Sequence, residues 1–365
     1  MNKIILCFLA ISLSFTAALS APGQAQPFFR TFVSGLGSDD NPCTRTQPCL
    51  TFAKALTNTN AGGEIDVLDP GDYGPLVIDK SISIGNDGVG TVGIRALSGG
   101  VGITINASLT DVINLRGLTI EGAGIGQTGI VFNTGKALTI QNCISRNFIG
   151  DGIHFENSSD SFTNLNISNT FVANNGDNGI FVRTNGNNIV RAVFNRVEVV
   201  SNGLSGIFFE NSSASLSNLN VSNTFVANNG ADGIFVTTKG SGNVIAVFNR
   251  VEVVSNDVGI FVHREGTGVI AATAADSVAS GNNEAGFLSS GSGGGAVFLV
   301  VRSVAASNHT GIEARGAVLA IGQSAVFGNT FGWEVVGSGV LQSYGDNDFN
   351  ANSTNSGSLT PVAKQ

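Results

Sequence analysis

Two glutamates have the spacing at which a pair of carboxylates could cleave a glycosidic bond. Glu156 and Glu210 occupy the same place in two copies of the segment Phe-Glu-Asn-Ser-Ser, 54 residues apart. If a solenoid coil has half that length, their backbones lie about 9.6 Å apart, near the upper end of the carboxylate separation in inverting glycosidases. Arg183 falls midway and could hold an acidic sugar, but its charge would lower both pKa values, which disfavours a general acid. A surface ion-pair ladder is the simpler interpretation.

A column of mostly aromatic residues follows a repeated glycine–isoleucine pair. Because side chains alternate along a strand, an inward-pointing isoleucine leaves the next residue pointing outward. The sequence therefore predicts an outward column whose four phenylalanines form a ridge about 14 Å long. Its members are His154, Phe181, Phe208, Phe235, Phe261 and Leu288. The ridge could be covered by a loop or tail of the same chain, dock a partner, or serve as a sugar-stacking platform. The opposite register, with phenylalanine inside, would remove all three interpretations.

Motifs for cofactor and metal chemistry are missing. The sequence has no P-loop, HExxH or GxSxG motif, and its three histidines do not have the spacing of metal ligands. Residues 124–129 match GxGxxG, but they lead into another strand where a helix should receive the phosphates. Calcium-assisted lyase chemistry would need carboxylates on adjacent coils, and the nearest column is interrupted: Asp151, Asn178, Ser205 and Asp232. We therefore predict no cofactor, since calcium would lack a clear site.

An internal repeat indicates the architecture that would position these residues. Residues 168–176 recur unchanged at 222–230, and residues 192–202 recur at 246–256, each with an offset of 54. Glycines followed by an apolar residue recur at half that interval, usually a few residues after an asparagine such as Asn174 or Asn202. Short β-branched and aromatic runs lie between them, without a long amphipathic helix. This pattern predicts an all-β, single-stranded right-handed parallel β-helix in which stacked asparagines can bond one another.

The two ends of the chain are expected to differ from the solenoid. Residues 1–25 have the basic start, apolar run and small-residue cleavage site of a secretory signal peptide. Residues 26–63 are expected to form an N-terminal cap with a disulfide loop and a short helix at 51–56, because a bare solenoid end would expose its core. The β-helix is expected to span residues 64–349, and the polar residues 350–365 are expected to form a flexible tail.

Charge and cysteine content narrow the set of partners. Removing Lys3 with the signal peptide leaves 17 of 18 basic residues against 26 acidic ones, without the basic cluster that a nucleic acid would require. Outside the signal peptide, no segment approaches the roughly 20 apolar residues of a membrane helix. In an oxidising compartment, Cys43 and Cys49 are expected to form a disulfide in preference to a metal site, and Cys143 is expected to be buried. We therefore expect a secreted or periplasmic protein.

The chain resembles bacterial right-handed parallel β-helix repeat proteins of the pectin-lyase-like superfamily. The most specific similarity lies in residues 33–43 and 48–52, with further similarity at 62–65, 70–74 and 343–347. Family members include polysaccharide lyases, inverting hydrolases and epimerases, besides many proteins without known activity. The resemblance therefore implies this fold and a carbohydrate context, and implies a reaction only weakly. The NTD, GHG and RIK signatures of polygalacturonases are missing, which argues against that hydrolase activity.

Three functional hypotheses follow from these observations. The first is a non-catalytic protein that binds a polysaccharide or cell-surface partner through the outward face formed by His154, Phe181, Phe208, Phe235, Phe261 and Arg183. The second is a polysaccharide-degrading enzyme, either a lyase or an inverting glycoside hydrolase, with Glu156 and Glu210 as its carboxylates. The third is an oligomeric structural scaffold that uses the same ridge for self-association.

Overall fold

Parallel strands stacked in three sheets build the solenoid. The computed structural model describes residues 28–157, 161–291, 293 and 295–363, so the expected signal peptide lies outside the described residues. The described strands form one 14-stranded and two 12-stranded sheets, in which neighbouring strands belong to successive coils. The chain is an all-β right-handed parallel β-helix with one short helix among the described residues, as the repeat predicted.

The strands are numbered in chain order. Sheet 1 consists of β1 Phe28–Val33, β2 Thr59–Val67, β5 Ile82–Gly85, β8 Val112–Arg116, β11 Ala137–Gln141, β14 Phe162–Ser168, β17 Ile189–Asn195, β20 Ser217–Ser222, β23 Val244–Asn249, β26 Ile270–Ala275, β29 Ala296–Val301, β32 Val318–Gly322, β35 Val340–Ser343 and β38 Leu359–Pro361. Sheet 2 consists of β4 Leu76–Ile78, β7 Val101–Asn106, β10 Thr128–Thr134, β13 Ile153–Asn157, β16 Ile180–Thr184, β19 Ile207–Asn211, β22 Ile234–Thr238, β25 Val258–Arg264, β28 Ala285–Gly291, β31 Thr310–Arg315, β34 Phe331–Val336 and β37 Thr354–Ser356. Sheet 3 consists of β3 Gly71–Asp72, β6 Val92–Arg95, β9 Thr119–Glu121, β12 Ile144–Arg146, β15 Phe171–Ala173, β18 Glu198–Val200, β21 Phe225–Ala227, β24 Glu252–Val254, β27 Val278–Ser280, β30 Val304–Ala306, β33 Ala325–Phe327 and β36 Asp348–Asn350.

An unbroken column of isoleucines fixes the register of sheet 2. Cα pairing joins equivalent isoleucines of five successive coils: Ile153, Ile180, Ile207, Ile234 and Ile260. All five side chains are buried in the core. Because a slip of one residue would turn the whole column to solvent, this burial strongly specifies the register. The phenylalanines that follow these isoleucines therefore point outward.

A ladder of buried asparagines closes one turn of each coil. The Asn175 side-chain amide donates to the Asn202 Oδ1 at 2.9 Å, and Asn202 donates to Asn229 in the same way at 2.9 Å. The series continues through Asn256, Asn282, Asn308, Asn329 and Asn352. The residue before each ladder asparagine takes the left-handed conformation, as Asn174 does before Asn175 with a φ of 55°.

The repeated glycine is required by the same ladder. A Cβ on Gly179 would lie 2.7 Å from the Gly206 carbonyl oxygen and 2.8 Å from the Asn202 Nδ2. Both distances are shorter than van der Waals contact, so any side chain here would push the next coil away. The glycine that precedes each buried isoleucine therefore permits close approach of the ladder to sheet 2.

A short helix caps the first coil, as expected. Helix α1, Phe52–Asn58, begins after Thr51, whose hydroxyl accepts a hydrogen bond from the Lys54 backbone N–H at 3.1 Å. Phe52 and Leu56 are buried against the end of the core. The Cys43–Cys49 disulfide, with Cα atoms 4.6 Å apart, closes the preceding loop and confirms the expected pairing.

The described strands extend beyond the bounds expected from the sequence. Strand β1 already pairs with β2, so sheet 1 starts within the segment expected to be a cap. At the other end, β37 pairs with β34 and β38 pairs with β35. Residues 354–356 and 359–361 of the segment expected to be a flexible tail therefore pair with the sheets, which its polar composition did not indicate. No helix among the described residues is long and apolar enough to cross a membrane.

We predict that Asn229→Ala destabilises the fold by about 2 kcal/mol or more, because Asn202 loses the acceptor of both its backbone N–H and its side-chain amide. The matched control is Asn228→Gly. Asn228 is exposed and has a φ of 55°, which glycine adopts readily, so this change should be nearly neutral. Chemical denaturation of the two variants measures the difference, and equal stabilities would contradict a structural role for the ladder.

Candidate functional site

The outward face of sheet 2 carries a continuous column of stacked rings. The column runs through His154, Phe181, Phe208, Phe235 and Phe261, which we call the aromatic ridge. Successive ring centroids lie 4.6, 5.3, 5.1 and 4.8 Å apart. Three of these four pairs are parallel stacks, and the Phe208–Phe235 pair meets edge to face at 82°. One ring per coil thus forms a straight strip along the solenoid axis.

Mutual stacking buries much of the ridge. Phe181 is only 8% exposed, while the other three phenylalanines are partly exposed. In the parallel stacks the ring faces are turned toward each other, so a ligand on this strip meets mainly ring edges. The ridge is therefore an apolar strip and offers few open ring faces for sugar stacking.

The ridge ends in a small apolar cluster followed by carboxylates. Leu288 continues the column and is fully buried, and it packs with Val258 and Ala285 beside Phe261. Glu313 and Glu334 occupy the same column position in the next two coils. At this end the apolar strip therefore stops at Leu288.

An ion-pair ladder runs beside the ridge, as its alternating charges predicted. Arg183 Nε lies 2.8 Å from Glu210 Oε1, and Arg183 Nη1 lies 3.8 Å from Glu156 Oε2. Lys239 extends the ladder, with its Nζ 3.0 Å from Glu210 Oε2. Lys239 was not apparent from the column pattern because it follows Thr237, the strand position of the column, by two residues.

Glu210 is held ionised. Its side chain is only 3% exposed, and this burial raises its pKa. The Ser212 hydroxyl, Lys239 and Arg183 outweigh burial, so the net pKa of Glu210 is lowered. A carboxylate in this environment is a poor general acid, which weakens the pairing of Glu156 and Glu210 expected for an inverting glycosidase.

His154 contacts two carboxylates, an arrangement that residue spacing did not predict. Its Nδ1 lies 2.7 Å from Asp151 Oδ2, and its Nε2 lies 3.4 Å from Glu156 Oε2. Asp151 Oδ1 in turn accepts hydrogen bonds from the backbone and side chain of Asn178. Burial lowers the pKa of His154, but the hydrogen bonds and charges of Asp151 and Glu156 outweigh it, and the net pKa is raised. Both ring nitrogens face carboxylates, and the imidazolium satisfies both.

The column considered for calcium does not assemble a metal site. Asp151 and Asp232 stand three coils apart in this column, and Asp151 is already bound by His154 and Asn178. Within the parts of the chain that the structure describes, no group of three or more histidine, cysteine, aspartate or glutamate side chains is placed to hold a metal ion. These carboxylates therefore do not fit a bound calcium ion.

In the two coils that follow Glu210, two polar atoms of the same column have no hydrogen-bond partner among the described residues. Thr237 and His263 follow Glu210 in the same outward column of sheet 2. Thr237 is fully buried, and neither its Oγ1 nor the His263 Nδ1 is paired. Burial lowers the pKa of His263; Glu265 opposes this effect, whereas Lys239 and Arg315 add to it. His263 is therefore neutral near neutral pH.

The pKa values of the two partly buried histidines are predicted to lie on opposite sides of the ordinary histidine value of 6.5. NMR titration should give a pKa above 6.5 for His154 and below 6.5 for His263. His→Gln variants assign each resonance to its histidine. Asp151→Asn should lower the pKa of His154, and an unchanged value would refute the pairing. Because the folded-state pKa is raised, the His154 ion pairs stabilise the fold below about pH 6.5 and lose this effect as the pH rises through the folded-state pKa.

Comparisons with known proteins agree with this architecture. A family profile described as right handed beta helix region matches residues 99–269 and 151–352, which together cover more than half of the chain. The A-module of mannuronan C-5 epimerase AlgE4 from Azotobacter vinelandii aligns with a TM-score of 0.62 and 15% identity, over 83% of this chain and 91% of that one. The crystal structure of pectate lyase Pel9A aligns with a TM-score of 0.54 and 14% identity, over 92% of this chain and 80% of that one.

At these low identities the structural likeness shows the fold alone. A search of curated proteins found no significant match. The family profile, however, covers the coils that carry the ridge, the asparagine ladder and the repeated glycines. The chain therefore belongs to the right-handed parallel β-helix family.

Proposed function

We propose that this protein binds a polysaccharide chain along the aromatic ridge without cleaving it. The observation that carries the proposal is the ridge itself, an outward apolar strip with one ring per coil along the solenoid axis. From His154 to Phe261 it extends about 19 Å, at about 4.8 Å per coil. A surface that repeats along a line suits a ligand that also repeats along a line, and polar side chains flank the strip on both sides.

The described parts of the chain support an open ridge. The C-terminal strands β37 and β38 pair with sheets 2 and 1 at the end of the solenoid, so they do not fold back over the phenylalanines. Phe208, Phe235 and Phe261 all retain partial exposure. This weighs against the interpretation that the protein's own tail covers the ridge.

The fold and the expected compartment are consistent with this ligand class. By their titles, two solved structures of similar fold are a pectate lyase and a mannuronan epimerase, both of which act on polysaccharides. This is an analogy at the level of the fold. The signal-peptide pattern of residues 1–25 and the Cys43–Cys49 disulfide fit a secreted or periplasmic protein, which would meet such polymers.

The ridge proposal predicts that the double substitution Phe208→Ser and Phe235→Ser weakens polysaccharide binding about tenfold or more, because two anchoring rings are lost. The matched control is Phe225→Ser, which changes a 37%-exposed phenylalanine on sheet 3. Retention of each protein on a panel of immobilised polysaccharides measures binding, and circular dichroism checks the fold. Equal retention of both variants and the unmodified protein would remove the ridge from the proposal.

A catalytic function is the second candidate, and the pairing of His154 with Asp151 favours it. A histidine held by a buried carboxylate, with a raised pKa and beside an apolar binding strip, is suited to proton transfer. Glu156 lies against the same imidazole, whereas Glu210 is committed to Arg183 and Lys239. In this candidate the acid–base pair therefore shifts from the two glutamates to His154 and Glu156.

The catalytic candidate predicts that the unmodified protein shortens a polysaccharide of the same panel. His154→Gln should then reduce the rate about a hundredfold or more, while Glu210→Gln in a folded protein should leave it nearly unchanged. Reducing-end and unsaturated-product assays measure the rate. Absence of chain shortening across neutral and acidic polysaccharides, with and without calcium, would leave binding as the function.

A further inference from the structure

Sheet 1 carries no charge in the C-terminal half of the solenoid. Strand β17 still presents the exposed Arg191. The next seven strands of the sheet, from β20 to β38, contain no charged residue. Sheet 2 carries charged side chains in the same coils, among them Glu210 and Glu313. One face of a chain with a net charge of −8 is therefore uncharged over seven successive strands.

The outward residues of sheet 1 change from polar to apolar at strand β23. One outward column holds Asn164, Arg191 and Asn218 in the coils of β14, β17 and β20. The same column is apolar in the next five coils: Ile245, Ala271, Val297, Val318 and Val340. Val247 and Leu299 lie in the neighbouring outward column. We call these seven apolar residues the apolar face.

The described chain leaves the apolar face open to solvent. Four of its side chains are between 36 and 43% exposed: Ile245, Val247, Val297 and Val340. The residues that alternate with them, such as Phe298 and Leu319, are fully buried in the core. Strand β38 pairs with β35 and so extends the sheet at its end, where it does not cover the face.

Strand propensity alone does not account for the apolar face. β-Branched residues are common in strands, so an exposed valine or isoleucine can be there for the strand's own sake. The duplicated unit provides the comparison. Residues 192–202 and 246–256 are identical, yet the outward residue before them is Arg191 in one copy and Ile245 in the other. The strand accepts a charged residue at this position, so it does not itself require the isoleucine.

The uncharged part of sheet 1 is large enough to hold a second copy of the chain. Seven strands about 4.8 Å apart span about 34 Å, and about five residues per strand span about 17 Å. Two such faces would bury about 1,100 Å² together, which exceeds the roughly 1,000 Å² expected of a biological interface. The area predicts a specific contact of modest affinity.

The chemistry of the face suits a second copy better than a sugar. The phenylalanines of these strands, Phe248 and Phe298, are buried, so a polysaccharide would find no outward ring on which to stack. Two copies of an acidic protein repel each other through their charged faces, and this face avoids that repulsion. Depletion of charge is also typical of the centre of homodimer interfaces, and two flat sheets pack face to face about 10 Å apart.

We propose that two copies of this chain associate through the apolar face, with sheet 1 of one copy packed on sheet 1 of the other. Both copies contribute the same patch, so the contact is isologous and closes at two copies. The aromatic ridge lies on sheet 2 and stays outside this contact. The inference therefore does not depend on the proposed polysaccharide binding.

Sedimentation equilibrium of the purified protein between about 1 and 100 µM tests the association. We expect a monomer–dimer equilibrium with a Kd roughly in the micromolar range, as an interface of this size permits. Because the contact is uncharged, the Kd should not rise when sodium chloride is raised from about 0.1 M to about 1 M.

Three arginine substitutions localise the contact. Val297→Arg, in the central strand β29, should raise the dimer Kd about tenfold or more, because each dimer would bury two unpaired charges. Ile245→Arg should also raise it, and Arg191 shows that the duplicated strand folds with this residue. The matched control is Val304→Arg, which changes a 36%-exposed valine on sheet 3 of the same coil and should leave the Kd unchanged. Circular dichroism checks that each variant is folded.

A further variant separates the apolar face from the aromatic ridge. The double substitution Phe208→Ser and Phe235→Ser should leave the dimer intact, since both rings lie on sheet 2. If Val297→Arg does not fold, Ile245→Arg decides the assignment.

Several outcomes would overturn the inference. A monomer at every concentration removes the dimer, and a trimer or larger assembly removes the closed contact. A Kd that rises steeply with salt indicates a charged contact elsewhere. A dimer weakened as much by Val304→Arg or by the ridge substitutions as by Ile245→Arg places the contact on another face. None of these results bears on whether the ridge binds a polysaccharide.

Discussion

In-register hydrogen bonding between successive coils is the interaction on which the rest of the structure depends. Each strand pairs with the equivalent strand one coil before and one coil after, so every side chain faces its counterpart about 4.8 Å away. Stacking of like on like favours apolar residues and amides, which gain packing or hydrogen bonds from a copy of themselves. The buried isoleucine column gains apolar packing in this way, and the Asn175–Asn202–Asn229 ladder gains hydrogen bonds.

The same stacking places like charges next to each other, which is unfavourable. On the ridge face this repulsion is avoided on one flank and persists on the other. Beside the ridge, opposite charges alternate from coil to coil, so that Arg183 and Lys239 hold Glu210 ionised although it is nearly buried. On the other flank the alternation fails: burial and the charges of Asp257 and Glu284 raise the pKa of Asp232, and the backbone hydrogen bond from Val258 opposes them only in part. Because the pKa of Asp232 is raised to about 7, a proton taken up near neutral pH relieves this repulsion.

Duplication of the 54-residue unit copied residues without copying their surroundings. Glu156 and Glu210 occupy equivalent positions, yet Glu156 lies against His154 and Asn185, while Glu210 lies against Arg183, Lys239 and Ser212. A side chain in a solenoid is surrounded by the coils above and below, and these differ for the two copies. The two glutamates therefore have different hydrogen-bond and ion-pair partners although the strands that carry them are copies.

The coil, its handedness, the outward direction of the phenylalanines and the Cys43–Cys49 pairing could all be predicted from the amino-acid sequence. Periodicity and alternation encode these features locally, and one repeat specifies the next. The three-dimensional structure was needed to show that residues 354–356 and 359–361 join the sheets, that His154 pairs with Asp151, and that Asp232 lies near other carboxylates. These outcomes depend on backbone pairing, side-chain direction and burial between coils, which composition and spacing do not report.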